Sequence, residues 1–137
     1  MEKYDSFLRD LTLRLKALGA KVKGNSYYFL EAGNWGVLNI QKSRSSTSEV
    51  VSFTFNLAVS LTDLTFFLVH QKRTVKPGLR DWHWQNRIGT YLPEQKDKWW
   101  TITEQTDEHE LCDEIYRAIV DLAMPQIKMR CARGYLQ

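Results

Sequence analysis

From Val51 to Ser60 the chain alternates without a break. Val51, Phe53, Phe55, Leu57 and Val59 share one side, and Ser52, Thr54, Asn56, Ala58 and Ser60 share the other. A period of two matches the pleat of a β-strand, and no helix reproduces it. One side is apolar and the other small or polar. Such a strand belongs in an antiparallel sheet with a single core face, because strands buried on both faces read as continuous apolar runs. A slip of one residue would turn all five apolar side chains to water, so the register is strongly specified. The rest of the chain must supply partner strands and a cover for that face.

The segments upstream meet the first demand. Ser26–Glu31 is strand-like with aromatics on both sides, and Gly33-Asn34 marks a hairpin connection to a strand from Trp35 to Ser43. There Val37, Asn39, Gln41 and Ser43 lie on one face, and Leu38, Ile40 and Lys42 on the other. The connection Arg44-Ser45-Ser46-Thr47-Ser48-Glu49 is polar. It lacks glycine, which excludes a phosphate-cradling loop of the P-loop type. Lys21-Val22-Lys23-Gly24-Asn25 reads as a basic turn.

Helices at the two ends meet the second demand. Residues 3–19 place Leu8, Leu11, Leu15 and Leu18 at helical spacing beside Phe7, and Gly19 supplies a stop. Thr106-Asp107-Glu108 opens a final helix with a cap and dipole-matching acids. Its stripe is Leu111, Ile115, Ala118 and Leu122, widened by Cys112 and Ile119. Pro125 is expected to kink or interrupt it, with a short helix following over Ile127–Arg133. Between strands and last helix, Leu61–Arg73 suits a strand through Thr65–Val69. It is read as a helix on the spacing of Leu64, Phe67, Leu68 and Gln71, with Ser60 and Asp63 as a capping box. The expected architecture is α+β: a mainly antiparallel sheet of about five strands, with the N- and C-terminal helices packed on one face. The 137 residues suit one domain, 1–137.

Four of the five tryptophans fall in two short stretches, Asp81-Trp82-His83-Trp84-Gln85-Asn86-Arg87-Ile88-Gly89 and Lys98-Trp99-Trp100-Thr101-Ile102. Read as a strand, the first puts Asp81, His83, Gln85 and Arg87 outward and Trp82, Trp84, Asn86 and Ile88 inward. Glu94-Gln95-Lys96-Asp97 is a charged turn, after which Lys98–Thr103 returns as the last strand. Trp99 and Trp100 must point oppositely, so one is buried and the other exposed.

The four blocks Trp35–Ser43, Phe53–Val59, Asp81–Gly89 and Lys98–Trp100, in that order, resemble the bacterial domain family called domain of unknown function 4304. The resemblance runs from the first helix to the last, and departs in Leu61–Lys76 and the basic tail. It implies a small cytosolic bacterial α+β domain, and brings no reaction and no catalytic residues.

Composition narrows the function classes. No apolar run approaches the roughly 20 residues of a membrane helix, and Met1–Asp5 has no apolar signal core, so the cytoplasm is expected and Cys112 and Cys131 are expected as free thiols. Residues 1–80 carry twelve Lys/Arg against six Asp/Glu, and residues 81–137 seven against ten. This excess is too small to make nucleic acid the default partner, although contact through the basic N-terminal half, with stacking on Tyr27, Tyr28 or Trp35, is one alternative. His109 with Cys112 or Asp113 has metal-ligand spacing but no third ligand, so no metal and no cofactor is expected. A small hydrolytic enzyme would use His83, Asp81 and Arg87, but Asp81 and His83 stand ~7 Å apart along a strand and no nucleophile motif accompanies them. Cys112 beside Asp113 should have a raised thiol pKa, the wrong direction for a nucleophile. The preferred reading is a non-catalytic module that binds an unidentified protein or small ligand. Gln41, Ser43, Asn56, Asp81, His83 and Arg87 would line its surface, with Trp99 or Trp100 as aromatic anchor.

Overall fold

Strand β4 (Val51–Ser60) has partners along both edges and is buried on both faces: the expected solvated side is part-exposed only at Ser52 and Asn56, and Thr54, Ala58 and Ser60 are buried. The computed structural model describes residues 1–62 and 82–133, so Asp81 and most of the Leu61–Arg73 segment lie outside the described residues. Helix α1 (Glu2–Ala17) is followed by β1 (Lys21–Lys23), β2 (Ser26–Glu31), β3 (Asn34–Lys42) and β4. Then come β5 (Trp84–Arg87), a 3-10 turn (Ile88–Tyr91), β6 (Trp100–Ile102) and helix α2 (Glu108–Ala118). A π turn (Ile119–Ala123) leads into α3 (Met124–Arg133). All the strand pairings are antiparallel, in the order β1-β2-β3-β4-β5, with β6 also on β4. The class is the expected α+β, with six strands among the described residues. None of the described helices is long and apolar enough to cross a membrane.

The core lies between one sheet face and the helices. Val51, Phe53, Phe55, Leu57 and Val59 meet Leu38 and Ile40 of β3, Tyr27 and Phe29 of β2, and Phe7, Leu11 and Leu15 of α1. Ile115, Ile119 and Ile127 close it from the C-terminal side. Gly36 of β3 allows that approach: a Cβ there would stand 2.2 Å from Ile127 Cγ2. Asn34 Nδ2 donates to the Cys131 carbonyl at 2.7 Å and fastens the end of α3 to the start of β3. Arg130 lies 4.0 Å over the Trp84 ring and ties α3 to the sheet edge.

Four local readings change. Lys21–Lys23 is not only a turn: it pairs with β2 as a short, charged edge strand, and Gly24 (φ +59) carries the turn. Pro125 does not interrupt the last helix. Its missing N–H and its ring disturb the preceding turn, which widens so that Met124 N–H donates to Ile119 O, and the helix runs on to Arg133. Trp82 does not join Trp84 inside the core. The strand begins only at Trp84, and Trp82 packs on the opposite sheet face against Tyr28, Trp35, Val37 and Ala58. Finally, β5 and β6 do not pair with each other. Arg87 lies opposite Asn56 and Trp100 opposite Phe53, so both run along one edge of β4 as pieces of a single strand. Residues 88–99 leave that edge and return to it. Gly89 closes the excursion, since a Cβ there would meet Lys96 O at 2.1 Å and Lys98 N at 2.8 Å. Thr54, fully buried, donates from Oγ1 to Lys98 O at 2.6 Å and anchors it.

Candidate functional site

The sheet face away from the helices has two halves. Toward one end, Tyr28, Trp35, Val37 and Ala58 form a small buried apolar cluster, with the Tyr28 and Trp35 rings edge to face. Toward the other, the alternation of β3, β4 and β5 leaves polar side chains in register. Asn39 lies opposite Asn56, and Asn56 opposite Arg87. Asn39 Nδ2 donates to Ser26 Oγ at 3.0 Å, while Asn56 Nδ2 donates to Asn39 Oδ1 at 3.1 Å and to Gln41 Oε1 at 2.9 Å. The ladder thus consumes the donors of Asn56 and the acceptor of Gln41. Gln41 Nε2 and Asn56 Oδ1 have no partner among the described residues. Asn39, Gln41, Asn56, Trp82 and Gln85 line a shallow depression of about 500 Å³ over this ladder.

Beside it, the returning excursion delivers a second group. The Arg87 guanidinium lies 5.2 Å over the Trp99 ring and 3.4 Å from Asp97 Oδ2, and Trp99 Nε1 donates to the same oxygen at 3.0 Å. Each of the three side chains restrains the other two, so a half-exposed indole and guanidinium are held at the rim of the polar face. Trp100 points the other way. It is 6% exposed, stacks on Phe53 and donates from Nε1 to Glu114. The exposed member of the pair is Trp99.

The expected residues therefore divide. Gln41, Asn56 and Arg87 share one surface with Trp99 at its edge. Ser43 stands at the start of the β3–β4 loop, where its N–H donates to Ser52 O and its hydroxyl pairs with Ser45. His83 lies beyond β5 at the far end, with its N–H on Val59 O and its Nδ1 accepting from Leu61 N–H at 2.9 Å. That lone pair is committed to the backbone. Four residues of strand separate His83 from Arg87, ~13 Å at the usual rise, so the two do not converge on one reacting atom. Tyr27, Tyr28 and Trp35 are buried at 2%, 4% and 2% exposure and offer no ring for a base to stack on. Burial, with Asp10 next, pushes the Cys112 thiol up to about 12, and burial does the same for Cys131. Both thiols are free. His109 faces the carboxylates of Asp10 and Glu108 at 3.7 Å, and no group of metal-ligating side chains forms among the described residues.

Residue reasoning passed over Asp97, Gln85 and Trp82. The Asp97-x-Trp99 spacing is the one local signal for the rim. Its approach to Arg87 depends on the excursion closing, which no local pattern encodes.

A family model described as Domain of unknown function (DUF4304) matches residues 11–128 of the chain. Comparison with curated proteins and with solved structures found no match.

Proposed function

We propose, for a chain that belongs to the domain of unknown function 4304 family, a non-catalytic binding role. The polar half of the exposed sheet face would hold a protein or small ligand, in the manner of an immunity-like or regulatory module of the bacterial cytoplasm. The observation that carries this reading is the amide ladder with its unused pair, Gln41 Nε2 as donor and Asn56 Oδ1 as acceptor, beside a pre-positioned Arg87–Trp99 rim. An unused donor and an unused acceptor on paired strands suit an amide, so a peptide main chain or an Asn or Gln side chain is the partner chemistry that fits. Orientation is already set by cross-strand hydrogen bonds, so binding orders few side chains. The separation of His83 from Arg87 and the occupied Nδ1 of His83 favour binding over acid–base work.

The test is a direct binding measurement on the partner captured from the source organism, with wild type, Asn56→Ala and Arg87→Ala beside a remote Leu13→Ala control. Loss of about tenfold or more in affinity in both site variants, with the control unchanged, supports the reading. Unchanged affinity in both would remove this face as the site.

A further inference from the structure

A second recess, which shares Asp97 with the rim just described, lies where the 88–99 excursion folds against α2 and the π turn. Its volume is about 220 Å³. Leu92, Pro93, Ala118 and Leu122 line it with Trp100, and the rest of the lining is charged: three carboxylates, Glu94, Asp97 and Glu114, against the ammonium groups of Lys96 and Lys98. Phe53 stacks beside the Trp100 indole at 6.2 Å and 23°, and Phe55 meets it edge-on at 5.8 Å and 70°. Lys98, which also lines the recess, places its ammonium 5.7 Å from the indole centroid. At the edge of the ring, Glu114 Oε2 accepts the indole N–H at 3.2 Å. Among the described residues Glu114 has no ion-pair partner. An indole, apolar side chains and a set of three carboxylates against two ammonium groups therefore converge on one small space, and Glu114 is the carboxylate held at the ring.

We propose that this recess binds a primary ammonium carried on a small apolar body, such as an arylalkylamine. The chemistry follows from the lining. An indole attracts a cation to its face, and more strongly once water is excluded. Glu114 supplies the charge and the acceptor that an ammonium needs when it leaves water. Lys98 already places a cation at this ring, and an incoming ammonium takes its place there. Size sets the class: a cavity of ~150 Å³ holds benzene, so this one holds an aromatic ring with a short arm. A carboxylate ligand would meet Glu114, and a neutral one would leave Glu114 as it is.

The experiment is an NMR titration of the full chain with phenethylammonium chloride, followed at the indole N–H resonances and repeated with 2-phenylethanol and 3-phenylpropionate. The ammonium should shift the Trp100 indole resonance and bind about tenfold more tightly than the alcohol or the acid. Glu114→Gln keeps an acceptor for the indole N–H and removes the charge, and should weaken the amine by about tenfold while leaving the alcohol unchanged. Lys98→Met removes the internal competitor and should tighten amine binding. Equal binding of the three compounds, retention of amine affinity in Glu114→Gln, or no shift at Trp100 at ~10 mM amine, weaker than any useful affinity, would overturn the proposal. The back-face variant Asn56→Ala, whose partners lie outside this recess, should not affect this titration, so the two sites are tested separately.

Discussion

Gly89→Ala tests the joint between fold and site. The added Cβ would fall 2.1 Å from Lys96 O, 2.8 Å from Lys98 N and 3.0 Å from Asp97 Cα. All three are backbone atoms, so no side chain can rotate away. Ordinary carbon contacts lie near 3.5 Å, so residues 96–98 must retreat by ~1 Å or more. Overpacking of this kind costs about 1–3 kcal/mol. The retreat also draws Lys98 O away from the buried Thr54 hydroxyl, now 2.6 Å distant. A buried hydroxyl left without its acceptor adds about 1 kcal/mol, for ~2–4 kcal/mol in all. With an unfolding entropy of ~2.1 cal/mol/K per residue, this chain loses ~7–14 °C in Tm. Thermal unfolding followed by circular dichroism measures it, with Thr54→Val as the control that removes the hydroxyl alone and costs about 1 kcal/mol. Because Asp97 moves with the segment, the Trp99 indole N–H resonance should shift as well. A Tm within ~2 °C of wild type, less than 1 kcal/mol at this chain length, together with an unmoved Trp99 resonance, would refute the claim that the excursion is closed by backbone contact at Gly89.

Three further outcomes are expected. Gly36→Ala drives a Cβ to 2.2 Å from Ile127 Cγ2 and should cost about 1–3 kcal/mol; urea denaturation of Gly36→Ala, Ile127→Ala and the double variant should show a double-variant loss smaller than the sum. Both buried thiols are held near 12 against an ordinary 9.0. The unfolded chain therefore loses these protons first as pH rises, so their contribution is full below pH 9 and falls between pH 9 and 12, by ~1.4 kcal/mol per pH unit per thiol. Replacing both cysteines by alanine should flatten the fall of urea midpoints between pH 8.5 and 10.5, and equal slopes would contradict the assignment. Asp107 accepts from the N–H groups of His109 and Glu110, each at 3.1 Å, so Asp107→Ala should cost ~1 kcal/mol and Asp107→Asn much less, read from the same denaturation curves.

What the residues alone determine here is local and periodic. The alternation of Val51–Ser60 specifies a strand with one apolar face. The spacing of Leu11 and Leu15, and of Ile115 and Ile119, specifies helices with one apolar stripe. Even the opposition of Trp99 to Trp100 is legible, because adjacent side chains on a strand point apart. Tertiary structure decided the rest, because those outcomes depend on atoms distant in sequence. Period two shows that Trp84–Arg87 and Trp100–Ile102 are extended, but not that both lie along one edge of β4; Thr54 and the backbone of residues 96–98 settle that. The same closure brings Asp97 and Trp99 to Arg87. Trp82 shows the limit most clearly: alternation assigns it to the core, and a bend at His83, held by Val59 O and Leu61 N–H, turns it to the opposite face. Periodicity reports which side chains must leave water, whereas the surfaces they meet are chosen by long-range hydrogen bonds and close packing.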